Sequence, residues 1–232
     1  AQEQVDAGVD FVDVNAGTFV SQEEQYLEWL VKIVQQKVKI PLCIDSPNPQ
    51  AIEKALKIHQ GKALVNSITA EKERYNKIVP LIKEYQCSVV ALCMDDDGMP
   101  ESAEERLEIA KKLIERLQTQ GIALEDIFID PLVRPVSTNP QYGVMVLETI
   151  EKIKQNFPEV HVICGLSNVS FGLPLRKLLN QNFLVLAMDR GLDAVILDPL
   201  DKRIMSNLVA TEALLGIDEF CMKYICLLYT SD

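Results

Sequence analysis

The chain has 232 residues, 48% of them hydrophobic and 25% charged, with only 10 Gly and 11 Pro. Such a composition can bury a sizeable core, and it excludes disordered, collagen-like and low-complexity readings. The net charge of −11 excludes the basic patches that nucleic acid or an anionic membrane surface requires, so the expected partners are small molecules and proteins. Apolar runs stay far below the ~18 residues of a bilayer span. The opening Ala1-Gln2-Glu3-Gln4 lacks the basic flank and apolar core of a signal peptide, so a cytoplasmic location is expected. Six cysteines, at 43, 87, 93, 164, 221 and 226, show no CxxC spacing, and four stand inside apolar runs; reduced, buried thiols are expected. With His59 and His161 as the two histidines, a His-rich metal site is excluded by count. No bound metal is expected, and both histidines are read as structural.

In chain order, seven short β-branched, apolar segments end in a polar residue or turn: Val9 to Asn15, Ile40 to Asp45, Ala63 to Asn66, Ser88 to Met94, Ile127 to Asp130, Val160 to Gly165 and Ala194 to Asp198. Between them lie stretches with helical spacing, such as Tyr26, Leu27, Leu30, Val31 and Val34, then Leu107, Ile109, Ala110, Leu113, Ile114 and Leu117. Repeated right-handed βαβ units follow, and the class is α/β. Helix starts are marked by capping boxes at Ser21 to Glu24 and Ser102 to Glu105 and by Asn48-Pro49; Gly121 marks a stop.

A doubly wound sheet and a closed barrel both fit this alternation. No GxGxxG follows the first strand. Polar residues stand instead at almost every strand end: Asp13 and Asn15, Asp45, Asn66, Asp95, Asp130, Asn168 and Asp198. Only a barrel brings all strand ends to one mouth, so a TIM (β/α)8-type barrel is favoured. One carboxylate before a Ser-Pro or Pro turn is ordinary turn chemistry. Several polar groups converging without a basic counterpart ask for a ligand rich in hydrogen-bond donors, and a pterin has such an edge. The Asp95-Asp96-Asp97-Gly98 turn lacks the spacing of a calcium loop and is read as a solvated loop.

The segments Val12-Asp13-Val14-Asn15-Ala16-Gly17, Leu42-Cys43-Ile44-Asp45-Ser46, Val65-Asn66-Ser67, Phe128-Ile129-Asp130-Pro131-Leu132 and Gly165-Leu166-Ser167-Asn168-Val169-Ser170 resemble the pterin-binding barrels. Among these, the match is to the methyltetrahydrofolate:corrinoid/iron–sulfur protein methyltransferases and to the folate domain of cobalamin-dependent methionine synthase. The resemblance runs from about Ala1 to about Tyr224. It implies that Asp45, Asn66 and Asp130 bind the pterin ring, that Asn168, with Ser167 beside it, hydrogen-bonds near N5, and that Asp13 and Asn15 support the network. Arg176 matches a family position near the folate pocket, where it meets the carboxylate side of the substrate or serves as a helix-surface arginine.

By the same resemblance, methyltetrahydrofolate is the methyl donor and a corrinoid (cobalamin) arrives on a partner such as a corrinoid/iron–sulfur protein. A homodimer is also implied. Phe171 departs from the pattern, standing where the corrinoid/iron–sulfur branch can carry a polar residue. Two other readings are weighed. Dihydropteroate synthase shares the barrel and the pterin carboxylates, but its Ser-x-Arg ending and its Thr/Arg-rich loop have no counterpart here; a folate-binding or docking module without turnover keeps the pocket but not the chemistry. Against eight barrel strands, seven segments imply that the first strand is missing. Residues 1–225 are read as the pterin-binding barrel and 226–232 as an atypical tail resembling a scar. Unpaired flanking strand edges, and with them a stability liability, are expected.

Overall fold

The computed structural model describes residues 1–229. Seven parallel strands follow one another across one sheet in sequence order: β1 (Val12–Asn15), β2 (Leu42–Asp45), β3 (Leu64–Thr69), β4 (Ser88–Leu92), β5 (Ile127–Asp130), β6 (His161–Gly165) and β7 (Ala194–Ile196). A short helix, α1 (Gln2–Asp6), precedes β1. The crossovers are α2 (Glu23–Gln35), α3 (Pro49–Ile58), α4 (Lys72–Tyr85), α5 (Ala103–Thr119), α6 (Gln141–Asn156) and α7 (Arg176–Asp189). After β7 come α8 (Lys202–Leu214) and α9 (Met222–Tyr229). This is the expected α/β architecture, a barrel with seven strands among the described residues. β1 and β7 are its edges and do not pair with each other. The tail expected from 226 begins inside α9, and residues 230–232 lie outside the described residues.

Strand side chains alternate between two apolar layers. Val12, Val14, Leu42, Ile44, Val65, Val89, Ile127, Ile129 and Val162 point outward and are buried against helix residues such as Leu27, Val31, Ile52, Leu113 and Ile150. Cys43, Leu64, Val90 and Ile163 form a separate inner cluster, flanked by Phe11, Leu92, Phe128 and Ile196. Burial on both faces is why the strands read as nearly continuous apolar runs. On the inner face, two residues beyond each of Phe11, Cys43, Leu64 and Phe128, come Asp13, Asp45, Asn66 and Asp130. The period of two therefore aims the polar residues into the barrel at its C-terminal mouth.

Three of the four expected helix boundaries form as expected. The Asn48 side chain accepts from the backbone N–H of Gln50 and Ala51 ahead of Pro49, and Ser102 and Glu105 make a reciprocal capping box. Gly121, at φ 85°, closes α5 with Gly121 N–H donating to Gln118 O and Ile122 N–H to Leu117 O, the paired bonds of a Schellman ending. The Ser21 box is not formed. A 3-10 turn at Gly17–Phe19 carries on so that Gln22, without a side-chain bond, caps α2. Glu23 turns inward instead, 5% exposed, and accepts from Ser46 Oγ at 2.5 Å.

The third strand also differs from its expected end. It continues past Asn66 to Thr69, with a register shift against β4 between Asn66 and Ile68. Asn66 therefore sits at a bulge within the strand, a device that re-aims a side chain.

Candidate functional site

The floor of the mouth is built by β1, β2 and β3, whose register sets Asn15 beside Asp45 and Asp45 beside Asn66. Asn15 Nδ2 donates to Asp45 Oδ2 at 2.8 Å, while Asn15 Oδ1 accepts from the Gly17 N–H at 2.8 Å. One amide is thereby locked with its donor end on the carboxylate. Gly17 permits the turn, because a Cβ there would stand 3.2 Å from Asn15 Oδ1. One layer below, the Cys43 thiol hydrogen-bonds both Asp13 and Asn66, and burial holds it well above the ordinary thiol range. Burial raises Asp13 to about 6, against the lowering effect of the Cys43 bond; the nearby Asp45 charge adds to the rise.

Asp130 forms a wall at the end of β5. Its Oδ1 accepts from Leu132 N–H at 2.8 Å, and Leu132 takes the left-handed conformation at φ 62°. Burial raises the Asp130 carboxyl to about 6, with the Leu132 N–H and then the Arg106 charge pulling the other way. Arg106 comes from α5, 1% exposed, and its Nη1 donates to Pro131 O at 2.8 Å and Leu132 O at 3.1 Å. Its Nε and Nη2 have no partner among the described residues.

The third side is the turn Leu166–Ser170 after β6. Asn168 is exposed there, and its carboxamide makes no protein hydrogen bond among the described residues. The side chain folds back over Gly165, where a Cβ would come within 3.2 Å of Asn168 Nδ2; this accounts for the glycine that opens the motif. Ser167 is exposed beside it. Arg176 donates from Nη2 to Ser167 O at 2.7 Å and from Nε to the buried Ser170 Oγ at 3.1 Å, so it braces this turn while staying exposed. Phe171 is exposed, with the Arg176 guanidinium 5.9 Å from its ring centroid.

The structure thus gathers Asp13, Asn15, Asp45, Asn66, Asp130, Ser167 and Asn168 at one mouth, with Arg176 behind the last turn. Two other strand-end acids form turns. Asp95 accepts from Asp97 N–H and Asp198 from Leu200 N–H, while Asp96 accepts from the first residue of α4, Lys72. Both histidines lie at the opposite end. His59 accepts from Leu42 N–H at the start of β2, and His161, at the start of β6, stacks on Phe128 and pairs with Asp193. A cavity of about 600 Å³ also lies at that end, beside the paired Lys62 and Asp126, and holds none of the strand-end residues. Sequence reasoning missed Cys43, Arg106 and Arg74, an α4 residue whose guanidinium donates to the Ser46, Pro47 and Ser67 carbonyls. Cys43 was detectable as the inward residue two before Asp45, whereas nothing in the local pattern distinguishes the two arginines from surface ones.

A parallel barrel here gathers half-buried and exposed carboxylates and amides on three sides of its mouth, and its overall shape matches solved barrels of known type. Dihydropteroate synthase from Xanthomonas albilineans, in complex with 7,8-dihydropteroate, superposes with a TM-score of 0.73 over 94% of this chain and 82% of that one, at 18% identity. The Yersinia pestis dihydropteroate synthase gives 0.74 over 93% and 86%, at 17% identity. These likenesses establish the fold. The model of the pterin binding enzyme family matches residues 1–198, and the chain belongs to that family. It is 38% identical over 223 residues, 95% of this chain and 82% of the relative, to the methylcorrinoid:tetrahydrofolate methyltransferase of Eubacterium limosum. It is also 31% identical over 169 residues to methionine synthase of Mycobacterium tuberculosis (strain ATCC 25618 / H37Rv), covering 68% of this chain and 14% of that enzyme.

Proposed function

We propose that this enzyme transfers a methyl group between N5 of tetrahydrofolate and the cobalt of a corrinoid carried by a partner protein. The observation that carries the reading is the pairing of a donor-hungry floor and wall with a separate turn that offers an unengaged amide. Asp45, Asn66 and Asp130 supply acceptor oxygens for the N–H edge of a pterin, with Asn15 and Asp13 bracing them. The carboxamide of Asn168 is left for the far side of the ring, where N5 lies.

From methyltetrahydrofolate, the electron pair of Co(I) forms the new bond to the methyl carbon while the C–N5 bond breaks and its pair returns to N5. Tertiary amines leave poorly, so N5 must carry a proton, or a strong hydrogen bond, as charge develops. Asn168 has no titrating proton. Its role is to turn its carboxamide, accepting from N5–H in the charged state and donating to the N5 lone pair in the neutral one. The name of the E. limosum relative puts the methylcorrinoid first, which is the reverse transfer. Both directions share one transition state, so the same groups serve either.

The rim suits a large partner. Phe19, Val20, Met99, Phe171 and Leu200, all on loops that follow strands, are exposed around the mouth, and exposed apolar groups ringed by polar ones mark interaction surfaces. The test is to mix the protein with methyltetrahydrofolate and reduced cobalamin and to follow the absorption spectrum. Loss of the Co(I) bands with growth of methyl-Co(III) is expected. An unchanged spectrum, with folate binding still seen by calorimetry, would replace the enzyme reading by that of a binding module.

A further inference from the structure

We infer that Arg74 is a positioning residue for the pterin pocket, holding Asp45 and Asn66 in alignment by gripping the backbone just downstream of both. The inference rests on the pterin reading above. Arg74 lies on α4, the helix after β3, and reaches back beneath the mouth. Its Nη1 donates to Pro47 O at 2.9 Å and its Nη2 to Ser46 O at 3.2 Å, in the turn that leaves Asp45. Its Nε and Nη2 both donate to Ser67 O, at 3.0 and 2.5 Å.

Ser67 is the residue skipped in the register between β3 and β4. A bulged residue leaves the ladder, and here the guanidinium takes its carbonyl. One planar cation therefore joins three carbonyls from two strand ends, a geometry that a lysine ammonium cannot reproduce. No carboxylate pairs with Arg74 at salt-bridge distance among the described residues. The acidic groups facing it are Glu71 and, across the pocket wall, Asp45. The β2 turn has a second tie, from Ser46 Oγ to the buried Glu23. The ladder pairs Asp45 with Asn66, and Ser46 N–H donates to Asn66 O at 3.1 Å, so losing the arginine would loosen the alignment of the two strand ends without dissolving either turn.

The experiment compares the full chain with Arg74→Met and Arg74→Lys, reading methyltetrahydrofolate affinity by calorimetry, KM and kcat by the cobalamin assay, and unfolding by thermal melt. Losing several carbonyl bonds that align two binding groups should weaken folate binding by about tenfold or more in both variants. Since Asn168 stands on a separate turn, kcat at saturating folate should change by less than about threefold. Millimolar guanidinium ion should restore part of the affinity of Arg74→Met. A variant that melts earlier but keeps the wild-type Kd and KM would overturn the inference, leaving Arg74 a structural brace. Should Arg74→Met fail to fold, Arg74→Lys, which keeps the charge, decides the matter by the same Kd criterion. No folate binding by the unaltered chain would overturn the pterin reading and this inference with it.

Discussion

Asn15 and Asn168 have the same side chain in opposite states. Asn15 is pinned at both ends, by Asp45 and by Gly17, whereas Asn168 has no protein partner among the described residues and is held only by its packing over Gly165. Asn168→Ala should therefore cut methyl transfer by about 10²-fold, the usual loss for a transition-state hydrogen bond, with little change in folate affinity. Equal losses in the cobalamin assay and in calorimetry would show that Asn168 only binds.

Asp130 carries a pH prediction with two signs. Its folded pKa is raised to about 6, so its contribution to stability is present below the unfolded value near 4 and is lost as pH rises through 6. Pterin N–H donors favour the carboxylate, so folate affinity should instead fall as pH drops through 6. Comparing wild type with Asp130→Asn in urea melts and in calorimetry between pH 4.5 and 7.5 checks both slopes. Asp45 and Asp130 were legible in the sequence because each closes an apolar strand, and Asp13 because it interrupts the apolar run of β1. The altered proton affinity of Asp13 and Asp130 was not, since it depends on burial that only the assembled sheet and its loops create.

At the scale of elements, helices do more than cross over between strands. Arg106 on α5 and Arg176 on α7 each donate to carbonyls of a strand-end turn, at Pro131 and Leu132 and at Ser167 respectively. Arg106→Met would leave the Pro131 and Leu132 carbonyls without their donor, while also removing a buried cation with two unpartnered nitrogens. The opposing effects leave a net destabilisation of about 1–3 kcal/mol, measurable as a lower urea midpoint at unchanged m-value. Such braces explain where sequence reading stopped. The strand and helix alternation, the Asn48 and Ser102 caps and the Gly121 ending are local, and all were readable from neighbouring residues. The Ser21 box had the right letters, but the 3-10 turn at Gly17–Phe19 moved the helix start beyond it. The end of β3 was misplaced because a bulge depends on the partner strand. The Arg106 contacts join residues 25 and 26 apart and those of Arg74 to the β2 turn 27 and 28 apart, and no spacing rule reports them.

For the molecule as a whole, the order β1 to β7 leaves two strand edges without a neighbour among the described residues. Such edges template pairing with other chains. Thermal unfolding of this 232-residue chain should therefore occur at a modest temperature, with light scattering that rises with protein concentration. A high, concentration-independent transition would contradict that expectation. The net charge of −11 opposes self-association at low ionic strength, so added salt should increase the scattering as the repulsion is screened.

The alternation that aims Asp13, Asp45, Asn66 and Asp130 inward also makes the site unusually sensitive to insertions and deletions. Deleting one residue inside β2 would swing Asp45 into the helix layer and turn Ile44 inward, exchanging the faces of a carboxylate and an aliphatic side chain in one step. Lengthening a loop at the His59 and His161 end shifts no strand face and leaves the mouth intact. Sequence change by length is thus confined to one end of the barrel, and change by substitution to the rim of the other. That division gives a practical rule for inserting tags, reporters or linkers into this chain.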